Sequence, residues 1–79
     1  MGTIKTITVM GATGSIGQNT LALVRQFPEA FFIHALVAGN DADGLAALAR
    51  EFRPKIIGLG DATRLDYLHK ALGDMGIDI

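Results

Sequence analysis

The sequence predicts an α/β fold, a three-layer Rossmann-type βαβαβα half with a parallel sheet in strand order 3-2-1. Three observations carry that expectation. Hydrophobic periodicity alternates three times between strand-like and helix-like runs. The connections between runs are short, as right-handed crossovers between parallel strands require. The third is Gly11-Ala12-Thr13-Gly14-Ser15-Ile16-Gly17, placed between the first apolar run and the first amphipathic one. In parallel α/β proteins a glycine-rich turn at that junction is where a nucleotide pyrophosphate binds.

Lys5 to Met10 reads as the first strand, short and rich in β-branched residues. Ser15 to Gln26 reads as the first helix, with an apolar stripe of Leu21, Val24 and Phe27. Pro28 ends it, because a proline disfavours helical geometry at the residue before it. Phe32 to Ala38 reads as the second strand. It is nearly apolar on both faces, which predicts helices covering it on both sides.

Gly39 to Gly44 is turn chemistry, in which Asp41 or Asp43 can cap the next helix. Leu45, Leu48, Ala49 and Phe52 then fall on one helical stripe, and Arg53-Pro54 breaks it. Lys55 to Gly60 reads as the third strand. Asp61 caps a third helix with the stripe Leu65, Leu68, Leu72 and Met75, weakened at its end by Gly73 and Gly76. Gly76-Ile77-Asp78-Ile79 reads as the approach to a fourth strand, expected beside the first. The reading is a single dinucleotide-binding segment, residues 1–79, of a larger doubly wound domain. The outer edge of the first strand is then unpaired, and either self-association through that edge or disorder of it is expected.

The bulk numbers exclude several classes. At 79 residues the chain is one domain or less, with 49% hydrophobic and 19% charged residues. A net charge of −1 gives no basic field for nucleic acid or anionic lipid. Without cysteine there are neither disulfides nor thiolate metal sites. No apolar run approaches a membrane span, and the first residues lack a signal-peptide layout. Met1-Gly2-Thr3-Ile4-Lys5-Thr6 matches a loose myristoylation pattern, but Gly2 leads almost directly into a core strand.

In the glycine loop, Gly11, Gly14 and Gly17 leave no Cβ where the backbone turns, approaches a phosphate and packs a helix on a strand. Thr13 and Ser15 add hydroxyls that can donate to phosphate oxygens or cap the helix locally. The loop continues into Asn19-Thr20-Leu21 and Val24-Arg25, then Phe27-Pro28-Glu29-Ala30-Phe31, Ala35-Leu36-Val37-Ala38-Gly39 and Glu51-Phe52-Arg53-Pro54-Lys55. In that order and spacing the chain resembles the N-terminal part of the 1-deoxy-D-xylulose 5-phosphate reductoisomerases, essentially without a gap.

The resemblance implies a dinucleotide site for NADPH. Thr13, Gly14, Ser15 and Ile16 would contact the pyrophosphate and nearby ribose. Gly39, Asn40 and Asp41 would meet the adenosine ribose and its 2′-phosphate, while Gly11 and Gly17 shape the turn. It also implies a ketose phosphate substrate, a magnesium or manganese ion held by residues beyond position 79, and a cytoplasmic or plastid location.

One departure stands out. The family commonly carries a basic residue followed by Asn in the second loop, where this chain has Asn40 and Asp41. A carboxylate there repels a 2′-phosphate and suits the free 2′-hydroxyl of NADH, so NADH stays open as the alternative cofactor. Asp41 read as a helix cap removes that conflict. Arg64, beginning the helix after the third strand, can supply the missing charge or be a solvated surface residue.

No second active site competes. His34 lies in an apolar strand, His69 on a helix, and Asp61 and Asp66 near a helix start, while Glu29, Glu51, Asp74 and Asp78 are scattered. The alternatives to the reductoisomerase reading are another dehydrogenase or sugar-nucleotide epimerase-like protein, and a stand-alone nucleotide-binding module. The first predicts a downstream Tyr-x-x-x-Lys or a nucleophilic Cys; the second predicts a stable monomer that binds the dinucleotide alone.

Overall fold

The computed structural model describes residues 4–79, so the Met1-Gly2-Thr3 part of the myristoylation pattern lies outside the described residues. The order is β1 (Lys5–Met10), α1 (Ser15–Gln26), β2 (Phe31–Ala38), α2 (Ala42–Phe52), β3 (Ile56–Leu59), a 3-10 turn (Ala62–Arg64) and α3 (Leu65–Leu72). The sheet is parallel with β2 between β1 and β3. This is the expected Rossmann-type half, read from the opposite edge as 3-2-1.

β1 and β2 stay in register from Lys5↔Phe31 to Ile7↔Ile33, then resume at Thr8↔Ala35. His34 is therefore the extra residue of a bulge, without a partner on β1. After the bulge, Val9, Leu36 and Ile57 lie side by side, buried, on one face. They join Leu21 and Val24 of α1, Leu45, Ala46 and Ala49 of α2, and Leu68 and Leu72 of α3 in one core cluster. Burial of leucine-sized side chains contributes ~1.5–3 kcal/mol each, which sets this cluster as the main source of stability.

The helices form one layer. Two right-handed crossovers running the same way along the sheet put α1 and α2 on the same face, and α3 packs on α2. The narrowest extent of the molecule is 14 Å, about the depth of one sheet and one helix layer. Of the three layers expected, two are present among the described residues. The other face of β2 is not covered by a helix: Met10, Phe32 and Ile56 are exposed there. The apolar character of β2 predicts two-sided burial; on its outward face Ala35, beside Thr8 and Ile56, is buried, while Phe32 stays exposed.

Other boundaries moved for local reasons. Phe27 is not part of the α1 stripe: it caps the helix with φ −128° and is 50% exposed. β3 is shorter than expected and begins at Ile56. Arg53 ends α2 in the left-handed region, φ 49°. Asp61 caps the 3-10 turn, not a long helix, and α3 stops at Leu72, so Met75 packs on the core from beyond it. Gly76 follows with φ +71°. Asp78 then bridges to Ile56, with Ile57 N–H donating to Asp78 O at 2.8 Å and Asp78 N–H to Lys55 O at 2.9 Å. The fourth extended segment thus begins beside β3, not beside β1 as expected. Continuing the same winding carries the chain one strand outward, whereas reaching β1 means crossing back over two strands.

Candidate functional site

Three loops gather at the carboxyl ends of the strands, the edge where open parallel sheets bind ligands. The first leaves β1 through Gly11 and is tied to β2 by Ala12 N–H donating to Val37 O at 2.8 Å. The second leaves β2 through Gly39. The third is joined to it by Gly60 N–H to Ala38 O at 2.9 Å and Asp61 N–H to Gly39 O at 2.8 Å.

The three loop glycines have different tasks. Gly11 takes φ +62°, a left-handed conformation that costs other residues about 1–2 kcal/mol. Gly17 sits buried against β1's exit; a Cβ there would collide with the Gly11 carbonyl oxygen and the Ala12 Cα. Gly14 caps α1 from an extended conformation, and a Cβ on it would be 3.3 Å from Gly11 O, so it is the least constrained.

The start of α1 is bare. No side chain caps it and no acidic residue lies in its first turn. The first helical bond runs from Gln18 N–H to Gly14 O at 2.9 Å, and none of the hydrogen bonds among the described residues uses the amides of Ser15, Ile16 or Gly17. Unpaired amides at a helix start carry partial positive charge and accept an anion. Ile16 is 81% exposed beside them, an apolar surface next to a polar cradle.

α2 starts differently. Asp41 caps it, its Oδ1 accepting from Gly44 N–H at 2.9 Å, and Asp43 follows in the first turn. The sequence left Asp41 open between a cap and a ribose ligand; the structure shows the cap. Gly44 also brings the first two loops together, since a Cβ there would meet the Asp41 carboxylate and come within 3.0 Å of Thr13 Cγ2. The structure therefore assembles Thr13, Gly14, Ser15, Ile16 and Gly17 at one helix start. It places Gly39, Asn40 and Asp41 alongside, on the neighbouring strand end.

In the third loop the Asp61 carboxylate accepts from Thr63 N–H at 3.0 Å and from Thr63 Oγ1 at 2.6 Å. Those bonds hold its pKa below the usual value, the Thr63 hydroxyl contributing most and Arg64 adding a smaller attraction. The neighbouring Asp43 carboxylate raises the Tyr67 phenol.

A cavity of about 600 Å³ lies at the opposite end of the strands, lined by Pro28, Phe31, Phe32, Phe52, Arg25 and Glu51 among others. It is remote from the glycine loop, and its charged lining is already paired. Arg25 donates from Nε and Nη2 to both oxygens of Glu51, at 2.5 and 2.8 Å, and stacks over Phe52 with 5.1 Å to the ring centroid. Sequence spacing gave no sign of this pair, because it joins the ends of two different helices. Among the described residues no three metal-ligating side chains converge.

A family model described as 1-deoxy-D-xylulose 5-phosphate reductoisomerase matches residues 7–79. The chain belongs to this family. Its glycine loop, second loop and 3-10 turn all lie inside the matched span. The chain is similar to the reductoisomerase of Ralstonia pickettii (strain 12J), 51% identical over 75 residues, covering 92% of this chain and 19% of that protein. It is 46% identical to that of Bradyrhizobium sp. (strain BTAi1 / ATCC BAA-1182) over 74 residues, covering 94% of this chain and 18% of the relative. Among solved structures, the Zymomonas mobilis reductoisomerase in complex with NADPH superposes with a TM-score of 0.91 at 32% identity, over 99% of this chain and 21% of that one. A reductoisomerase in complex with NADPH, fosmidomycin and magnesium gives 0.85 at 40% identity, over 95% and 18%. The chain spans about a fifth of the length of the reductoisomerases it matches.

Proposed function

We propose that this chain is the N-terminal NADPH-binding segment of a 1-deoxy-D-xylulose 5-phosphate reductoisomerase. The observation that carries the proposal is the bare start of α1, with unpaired amides at Ser15, Ile16 and Gly17 framed by a glycine turn that leaves room for a phosphate. Those amides, with the Thr13 and Ser15 hydroxyls, would hold the pyrophosphate. Gly39, Asn40 and Asp41 would border the adenosine ribose. Ile16 would lie against the dinucleotide and keep water from the pyrophosphate's edge. NADPH, when bound, supplies the hydride that reduces the aldehyde formed by rearrangement of a ketose phosphate, giving 2-C-methyl-D-erythritol 4-phosphate.

The described residues bring no carboxylate set together for magnesium or manganese, so no step is assigned to a metal within this segment. The 79 residues by themselves are expected to turn over no substrate. The free edge of β1, paired only to β2 among the described residues, supports self-association as a further property of the isolated segment. Calorimetric titration with NADPH tests the main reading. Saturable binding that is weakened by Ser15→Asp, which sets a carboxylate at the bare start of α1, is expected; absence of any dinucleotide binding by the protein at its natural length overturns it.

A further inference from the structure

We infer that Arg64 is the residue that recognises the 2′-phosphate of NADPH and sets its preference over NADH, an inference that rests on the dinucleotide-binding reading above. A 2′-phosphate needs a cation beside the loop that follows the second strand. That loop, Gly39-Asn40-Asp41, contains none, and the amide of Gly44 at the α2 start is taken by the Asp41 carboxylate.

The positions of the seven Lys and Arg residues narrow the choice. Lys5 and Lys55 lie at the starts of β1 and β3, at the far end of the sheet. Arg25 ends α1 and is paired to Glu51. Arg50 and Arg53 lie at the end of α2, and Lys70 in the last turn of α3. Arg64 alone belongs to a loop at the carboxyl edge.

Its backbone is held there. Asp61 N–H donates to Gly39 O at 2.8 Å, and Arg64 N–H donates to Asp61 O at 3.2 Å, so two hydrogen bonds link Arg64 to the second loop. Gly60 makes this approach possible, because a Cβ on it would be 3.0 Å from Gly39 O. The Arg64 side chain is uncommitted: among the described residues it takes part in no ion pair or hydrogen bond, and the nearest capping carboxylate, Asp61, is turned to Thr63. Asp41 and Asp61 cap the elements that begin at this edge, and Asp43 lies in the first turn of α2. Without Arg64 the edge is acidic, and a phosphate dianion would be repelled while a 2′-hydroxyl would be tolerated.

The test is titration of NADPH and of NADH into the protein at its natural length, unaltered and as Arg64→Ala and Arg64→Lys. Loss of a charge-assisted hydrogen bond predicts about a tenfold or greater weakening of NADPH binding in Arg64→Ala. NADH binding should change less than about twofold, which also reports that the variant is folded. Arg64→Lys should retain part of the preference, more strongly at low salt. Equal losses for both dinucleotides, or NADPH binding unchanged by Arg64→Ala, overturn the inference while leaving the dinucleotide site standing. Failure of the unaltered protein to bind either dinucleotide overturns both readings.

Discussion

A methyl group at Gly17 would strike the Gly11 carbonyl oxygen and the Ala12 Cα, which are backbone atoms with nowhere to go. Gly17→Ala is therefore expected to destabilise the protein by about 1–3 kcal/mol or more, as overpacking does, and thermal unfolding measures it. Gly11→Ala is expected to cost about 1–2 kcal/mol through its positive φ, with nothing within 4 Å to obstruct the methyl group itself. Gly14→Ala should be the mildest of the three; a larger loss there than at Gly17 would contradict this assignment of roles. Asp41→Ala removes a cap whose bond to Gly44 N–H is well formed, at an expected cost of about 1 kcal/mol. The glycines were legible as a motif in the sequence. Their division of labour was not, because φ and the neighbours of an absent Cβ are properties of the folded backbone.

Between elements, the Arg25–Glu51 pair fastens the end of α1 to the end of α2. The Arg25 hydrogen bond holds the Glu51 carboxyl below its ordinary value of 4.5, and Glu51 raises Arg25 in return. A lowered carboxylate contributes stability that is present above its unfolded pKa and is lost as pH falls through the folded one. Acid unfolding should therefore show a component below pH 4.5 that is missing from Glu51→Gln. Both side chains are more than two-fifths exposed, so solvent screening limits the pair to about 0.5–1 kcal/mol at neutral pH. Equal acid-unfolding midpoints in the two proteins would sink the claim. Helix α1 was legible to the residue, since Ser15 and Pro28 bracket it. The short β3, the 3-10 turn before α3 and the bulge at His34 were not. A four-residue strand has too few positions to show a period, and a bulge depends on the partner strand.

For the molecule as a whole, the fold class and strand order followed from period and connection length, but the number of layers did not. An apolar strand such as β2 reads as covered on both faces whether or not the cover is present. In the structure one face carries three helices, and the other leaves Met10 69% exposed alongside Phe32 and Ile56. Together with the free edge of β1, this predicts association of the isolated 79 residues that grows with concentration. Sedimentation should detect it, and a monomer persisting to high concentration would refute it.

The sheet's order has a consequence for how the chain is made. Every strand pairs with the one synthesised just before it, and each connecting helix packs on strands already present. Among the described residues no strand pairing waits for a distant part of the chain, so loop-closure entropy stays low for these pairings. Such a segment can assemble stepwise while it leaves the ribosome, β1 with β2 and then β3, with the glycine turn formed at the first of those steps.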